Sequence, residues 1–347
     1  MSPKKLSEST EILAAHAAYM RYMLDKPLTQ YDIAKALKVN PSTVSRLLKH
    51  ARDNLIKVSL NLPRITELEV RLVRQYGLAD AVVFPVPWPR RKADERPFRI
   101  GLAEAAARYL ESDATPIKPT YKIGISCGST IRDLIFALTP GKFKNITISQ
   151  LTVETECEVL IDRSPFSLVS QIFAKWSNQN DSSRASRAYA VQPLPGSLQE
   201  RSGQWSPLYE PYRDEIFKKA EDIDVAIVGI GSCLIGKGGG TYAEILKRHG
   251  VTPAMIRHSG AMGEICNRVY DAQGEEVFGD LPGLRSFVDG VPLDLLQRLS
   301  GDSKKPRKII AVAGGTYKVE AIRVALKNRF VNSLMTDAET AEHLCAD

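Results

Sequence analysis

The chain has 347 residues, 44% of them hydrophobic and 25% charged, which fits two or three domains of an ordinary soluble protein. No apolar run approaches the ~20 residues needed to span a bilayer, and the first ten residues carry no apolar segment of the signal-peptide kind, so a cytoplasmic, non-membrane protein is expected. The net charge of +7 is lopsided: residues 1–64 hold 11 Lys and Arg against 5 Asp and Glu, which places +6 of it in the first fifth of the chain.

A localised basic excess is the footprint of nucleic-acid binding, because each neutralised phosphate releases condensed counterions, although a solvated basic surface would carry the same charge. The first elements favour the nucleic acid. Ile12 to Leu24 is apolar at helical spacing. Ile33 and Leu37 share one face, so Gln30 to Leu37 reads as a short helix with Thr29 as its N-cap. Lys38-Val39-Asn40 makes the turn, with Val39 tucked between two helices, and Asn40 caps a second helix with Pro41 in its first turn. Val44, Leu47 and Leu48 form the buried stripe of that helix. Ser42, Thr43, Ser45, Arg46 and Lys49 are left on its outer face, where a recognition helix meets base edges and phosphates. Thr29 and Gln30, opening the preceding helix, join them as DNA-binding candidates. A surface helical hairpin within a larger fold is the rival reading. Leu55 to Leu62 alternates as a short strand or wing would, and Pro63 closes it.

Ile65 to Tyr76 has helical spacing and leads into a second texture. Strands are predicted at Ala81–Phe84, Tyr121–Ser126, Ile146–Leu151, Ala188–Val191, Ile223–Ile230, Ile309–Ala313 and Asn332–Met335. Between many of them lie amphipathic helices at Ile100–Leu110, Ile131–Leu138, Pro211–Ala220 and Lys318–Lys327. This alternation specifies an α/β domain with a Rossmann-like parallel sheet covered on both faces, behind an N-terminal all-α helix-turn-helix domain. The boundary falls near residue 60, giving 1–60 for DNA binding and 61–347 for the rest. Pro85–Pro97 and Ser177–Ser186 read as exposed loops.

Ligands of such sheets sit beyond the carboxyl ends of the strands, and the glycine turns fall there. In Gly124-Ile-Ser-Cys-Gly-Ser-Thr-Ile-Arg, the N–H groups of Gly128, Ser129 and Thr130 open a helix and fit an anion or phosphate cradle; a tight turn with a capping serine fits equally. Ala313-Gly-Gly-Thr-Tyr-Lys places Lys318 over another glycine turn, where it can pair with a phosphate. Asp271, in Tyr-Asp-Ala-Gln-Gly, can accept hydrogen bonds from sugar hydroxyls or simply close an Asx turn. Gly231-Ser-Cys-Leu-Ile-Gly-Lys-Gly nearly spells a Walker A loop, but Gly238 stands where Ser or Thr must hold Mg²⁺, and the glycine spacing fails as a dinucleotide fingerprint. Five cysteines (Cys127, Cys157, Cys233, Cys266, Cys345) are odd in number, far apart and without metal-ligand spacing; reduced thiols are expected, with no metal and no cofactor, against the rival of a redox or metal sensor. No nucleophile triad or paired-carboxylate constellation stands out.

Taken in order, these motifs resemble the SorC family of bacterial transcriptional regulators. The resemblance runs over nearly the whole chain. It includes the Leu28-Thr-Gln-Tyr-Asp-Ile-Ala head, the Gly124 turn, Asp224-Val-Ala-Ile-Val-Gly-Ile-Gly, Gly260-Ala-Met-Gly-Glu-Ile, Tyr270-Asp-Ala-Gln-Gly, Ala313-Gly-Gly-Thr-Tyr-Lys-Val-Glu-Ala-Ile and Thr336-Asp-Ala-Glu-Thr-Ala. It implies a C-terminal effector and oligomerisation domain similar to sugar-phosphate isomerases and deaminases, usually assembled as a homotetramer; from the residues alone, dimer or tetramer stays open. The effector would be a sugar, a polyol or a sugar phosphate. Matched by position, Gly128, Ser129, Thr130 and Lys318 would hold the phosphate side and Asp271 the hydroxyl side. One departure stands out: where many members have a glycine-rich turn, this chain has Gln150-Leu-Thr-Val-Glu-Thr-Glu, and Val153, Glu154 and Glu156 would block or repel a second phosphate. The expected function is a ligand-responsive, operator-binding regulator of carbohydrate-related genes and not an enzyme. An isomerase- or deaminase-type enzyme with an appended DNA-binding domain is the alternative.

Overall fold

The computed structural model describes residues 8–56, 62–86, 96–112, 117–118, 120–141, 145–154, 164–176, 187–190, 210–233, 246–247, 250–277 and 288–346. The chain divides into two compact units, Met1–Asn61 and Leu62–Asp347.

The first unit is three helices: α1 (Glu8–Tyr22), α2 (Gln30–Leu37) and α3 (Pro41–Asn54). Ala14, Ala17 and Ala18 of α1 meet Ile33 and Ala34 of α2 and Val44, Leu47, Leu48 and Ala51 of α3 in one small core. Small side chains let the helices approach closely, so the buried stripe of α1 is alanine, while Ile12 and Met23, predicted apolar contacts, stay exposed. Thr29 caps α2 with a full capping box: its Oγ accepts the Asp32 N–H and the Asp32 carboxylate accepts the Thr29 N–H. The Thr29 hydroxyl also donates to that carboxylate, and this bond first, with the Thr29 N–H, holds the Asp32 carboxyl below its ordinary value. Lys38 turns the chain in the left-handed region at φ 55°. Asn40 occupies the N-cap position of α3, but its side chain makes no capping bond; its carbonyl accepts the N–H groups of Thr43 and Val44 instead. The predicted strand or wing, Leu55–Leu62, does not start at Leu55, which extends the last turn of α3; residues 57–61 of it lie outside the described residues.

The second unit opens with α4 (Thr66–Tyr76) and β1 (Asp80–Phe84), followed by α5 (Arg96–Leu110), β2 (Lys122–Ile125), α6 (Ser129–Ala137), β3 (Thr147–Gln150) and β4 (Thr152–Glu154). Then come α7 (Pro165–Trp176), β5 (Arg187–Tyr189), α8 (Glu210–Ala220), β6 (Val225–Val228) and β7 (Ile230–Ser232). The chain continues with α9 (Pro253–Ser259), β8 (Gly263–Ile265), β9 (Arg268–Tyr270), β10 (Val288–Gly290), α10 (Leu293–Gly301) and β11 (Lys308–Val312). It ends with α11 (Val319–Lys327), β12 (Ser333–Asp337) and α12 (Ala338–Cys345). Seven strands form one sheet in the order β1-β12-β11-β6-β2-β3-β5, with every described pairing parallel. Alternate residues of the central strands bury on opposite faces. Val225 and Ile227 pack with Leu102, Ile131 and Trp176 on one side, and Ala226 and Val228 pack with Leu72, Leu296 and Ile322 on the other.

Three short antiparallel strands, β7-β8-β9, and the β4-β10 ribbon were not legible as strands. The predicted Ile223–Ile230 strand is two: Gly229 breaks it, β6 staying in the parallel sheet and β7 leaving for the small one. The predicted loop to Pro97 ends early, because α5 starts at Arg96 with Pro97 in its first turn, where the missing N–H has no partner to lose. Ser177–Ser186 lies outside the described residues.

Candidate functional site

In the first unit, Ser42, Ser45, Arg46 and Lys49 are exposed on α3, opposite its buried stripe, and Thr43 is half-buried. Arg46 donates to the Thr43 hydroxyl at 3.4 Å, a long bond that leaves the guanidinium available at the surface. Gln30 is exposed at the start of α2, whereas the Thr29 hydroxyl is committed to its capping box.

In the second unit the sheet order reverses between β2 and β6: from β2 the chain proceeds to β3 and β5, and from β6 to β11, β12 and outward. Ligands of open parallel sheets bind at such a reversal, beyond the carboxyl ends of the strands. Ser126, just past β2, binds the two ends together: its N–H donates to the Ile227 carbonyl and its hydroxyl accepts the Gly229 N–H. A cleft opens there, with solvent at its mouth.

Gly128, Ser129 and Thr130 line this cleft, and so does Lys318. Gly128, at φ 116°, sits in a conformation open to glycine and turns the chain into α6. The ladder of α6 begins only at the Arg132 N–H, bonded to the Gly128 carbonyl, so the first turn faces the cleft with its positive end. Lys318 closes a 3₁₀ turn, Thr316–Lys318, behind Gly314 and Gly315. That turn is pinned from beneath, since the Gly315 N–H donates to Asp337 and Thr340, both fully buried, and Asp337 in turn caps α12. A side chain at Gly314 would collide with the Asp337 carboxylate. The Thr336-Asp-Ala-Glu-Thr-Ala motif is therefore the foundation under Lys318.

Sequence reasoning missed two charged residues of the cleft. Glu264 on β8 pairs across the small sheet with Gly231, where any Cβ would strike the Glu264 carboxyl. Burial pushes that carboxyl up to about 7, against the opposing pull of Lys318 and of the Asn267 N–H it accepts at 3.2 Å. Asn267 also receives the Cys127 thiol, so the β8-β9 turn leans on the Gly124 turn. Arg99 on α5 also lines the cleft and reaches Asp133 of α6 at 2.6 Å.

Asp271 does not line this cleft. Its Oδ1 accepts the N–H groups of Gln273 and Glu275, the Asx turn that was its alternative. Val153 does not obstruct the cleft either: it is buried in β4, paired with β10. The side chain of Glu154 and all of Glu156 lie outside the described residues, as does most of the Walker-like stretch from residue 234. Four described cysteines are unpaired by disulfides, with burial raising the thiols of Cys233, Cys266 and Cys345, while Cys157 is not described. Among the described residues no cluster could hold a metal, and no helix is long and apolar enough to cross a membrane.

The cleft and its two-faced sheet coincide with a known family. Residues 61–346 match the family profile described as "Putative sugar-binding domain". The chain belongs to this family. The sorbitol operon regulator of Klebsiella pneumoniae is 25% identical over 323 residues, covering 92% of this chain and 94% of that one. The deoxyribonucleoside regulator of Bacillus subtilis is 25% identical over 346 residues, covering 96% and 97%. Among solved structures, the full-length sorbitol operon regulator SorC of Klebsiella pneumoniae has a TM-score of 0.59 at 22% identity, covering 98% of this chain and all of that one. The resemblance to SorC regulators holds over the family's whole length, and these relatives are named as regulators, not as enzymes.

Proposed function

We infer that the chain is a ligand-responsive transcriptional regulator of carbohydrate-related genes. Its first unit, residues 1–60, would bind operator DNA through α3, with Arg46 and its neighbours at base edges and Lys49 and the start of α2 at phosphates. Its second unit, residues 61–347, would bind the effector and carry the contacts of a cytoplasmic dimer or tetramer. The observation that carries the reading is the convergence of Gly128, Ser129, Thr130 and Lys318 on one cleft at the reversal of the sheet. A helix N-terminus and a lysine suit an anion, and Glu264, beside them, suits hydroxyl groups. The effector is then a sugar, a polyol or a sugar phosphate.

Function by linkage follows: an effector that favours one arrangement of the protein changes operator affinity by its differential affinity for that arrangement. The test is a thermal-shift screen of the full chain against sugars, polyols and their phosphates, followed by mobility of operator DNA with each hit. A hit that stabilises the chain and changes DNA mobility supports the regulator. Turnover of a sugar phosphate with DNA mobility unchanged would instead establish the enzyme alternative.

A further inference from the structure

We propose that Arg99 is a further effector-binding residue, whose guanidinium grips the same anion as the α6 N-terminus and Lys318 and selects a phosphate dianion over an uncharged sugar. The inference rests on the effector reading above and adds a residue and a selectivity to it. Its basis is the way Arg99 is held. The Nε of Arg99 donates to Asp133 Oδ2 at 2.6 Å, and the other oxygen of Asp133 accepts both Nε and Nη2 of Arg132, at 2.9 and 2.7 Å. Asp133 is buried, 9% exposed, so one carboxylate accepts from two guanidinium groups and fixes both. With Nε committed, Nη1 and Nη2 of Arg99 have no hydrogen-bond or ion-pair partner among the described residues, and Arg99 lines the cleft.

The direction is set by spacing. Asp133 lies four residues after Ser129, one turn along the same face of α6, so an arginine anchored on Asp133 stands beside the N-terminal turn. Phe98 and Leu102 of the same helix close on the Gly314 turn, within 3.3 and 3.0 Å of where a Cβ would stand. Arg99 is thus placed between the two anion-binding turns. A guanidinium held by Nε presents a rigid fork of N–H donors, and this fork matches two oxygens of a phosphate or carboxylate, which a neutral sugar does not offer. Holding it in place beforehand lowers the ordering cost of binding.

Inorganic phosphate is the probe, titrated at pH 8 into the full chain and followed by ³¹P line broadening, with ribose and ribose 5-phosphate compared by thermal shift. Arg99→Gln is expected to weaken phosphate by about tenfold or more, Lys318→Ala likewise, and Arg99→Lys to fall between because charge remains without the fork. Arg99→Lys keeps an ion pair with Asp133 and guards against a loss that is only of folding, which the melting temperature without ligand reports. If Lys318→Ala weakens phosphate and Arg99→Gln does not, the role of Arg99 is overturned and the cleft stands. If the wild type ignores phosphate but is stabilised by ribose, the selectivity is overturned and the cleft is a neutral-sugar site. No response to any of the three overturns both.

Discussion

Glu264 shows how a single residue can tie the cleft to pH. Its carboxyl is raised from an ordinary value of 4.5 to about 7 by burial. A raised carboxyl favours the folded state when protonated, so its stabilisation is fully present below pH 4.5 and fades as pH climbs through 7. Glu264→Gln removes the titration. Denaturant unfolding at several pH values should show the wild type losing stability over that window and the variant losing less; parallel curves would contradict the burial of this carboxyl. On the other unit, Arg46→Ala should weaken specific operator binding by ~1–3 kcal/mol if the guanidinium reads a base, whereas Lys49→Ala should weaken all sequences alike and flatten the salt dependence. An unchanged footprint with Arg46→Ala would remove α3 from the major groove. Lys318 and the Gly128-Ser129-Thr130 turn were legible because glycine turns joining strand to helix have a defined chemistry. Glu264 and Arg99 were not. One sits on a three-residue strand and the other just behind the proline-rich Pro85–Pro97 stretch, so neither carried a period to place it.

At the scale of elements, the long-period features came through and the short ones did not. Gln30–Leu37 was predicted with Thr29 as its capping residue, because Ile33 and Leu37 stand one turn apart on one face; the reciprocal bond of Asp32 is what the structure adds. Thr29→Ala should cost about 1 kcal/mol, the usual worth of such a cap, and chemical denaturation of the full chain measures it as an early loss of helix. The parallel strands of the large sheet were legible as β-branched runs between amphipathic helices. By contrast β4, β7, β8, β9 and β10 have three residues each, too few to show alternation, and they are fixed by pairing with distant partners. The role of Thr336–Ala341 was hidden for a related reason. Its work is done by the Asp337 carboxylate, which holds both the start of α12 and the Gly315 N–H. Asp337→Ala takes the cap from the buried Thr340 N–H and one of two acceptors from the Gly315 N–H, so the chain should lose ~1–3 kcal/mol of stability. The effector response should fall with it, because the turn that carries Lys318 rests there. An effector response undiminished in Asp337→Ala, read by thermal shift, would show that the turn holds its shape without the buried carboxylate.

For the whole molecule, the division at residues 61 and 62 separates a basic three-helix unit from a sheet unit with its own two-sided core. One helix-turn-helix reads few bases, so the working protein should be at least a dimer on inverted half-sites. Light scattering at micromolar concentration, with and without DNA, should give a multiple of the 38.4 kDa chain mass; a monomer in both would contradict the proposed assembly. In the proposed regulator, effector binding in the cleft at the β2-β6 reversal governs what the α3 face does to DNA. The most direct measurement of this is fluorescence anisotropy of DNA selected by the full chain, titrated with wild type and Lys318→Ala, with and without the sugar phosphate that stabilises the wild type most. Operator affinity is expected to shift ~5–150-fold with effector in the wild type, whereas a Lys318→Ala chain is expected to bind DNA as the effector-free wild type does but no longer to respond. A Lys318→Ala chain that responds fully at the same effector concentration would contradict it.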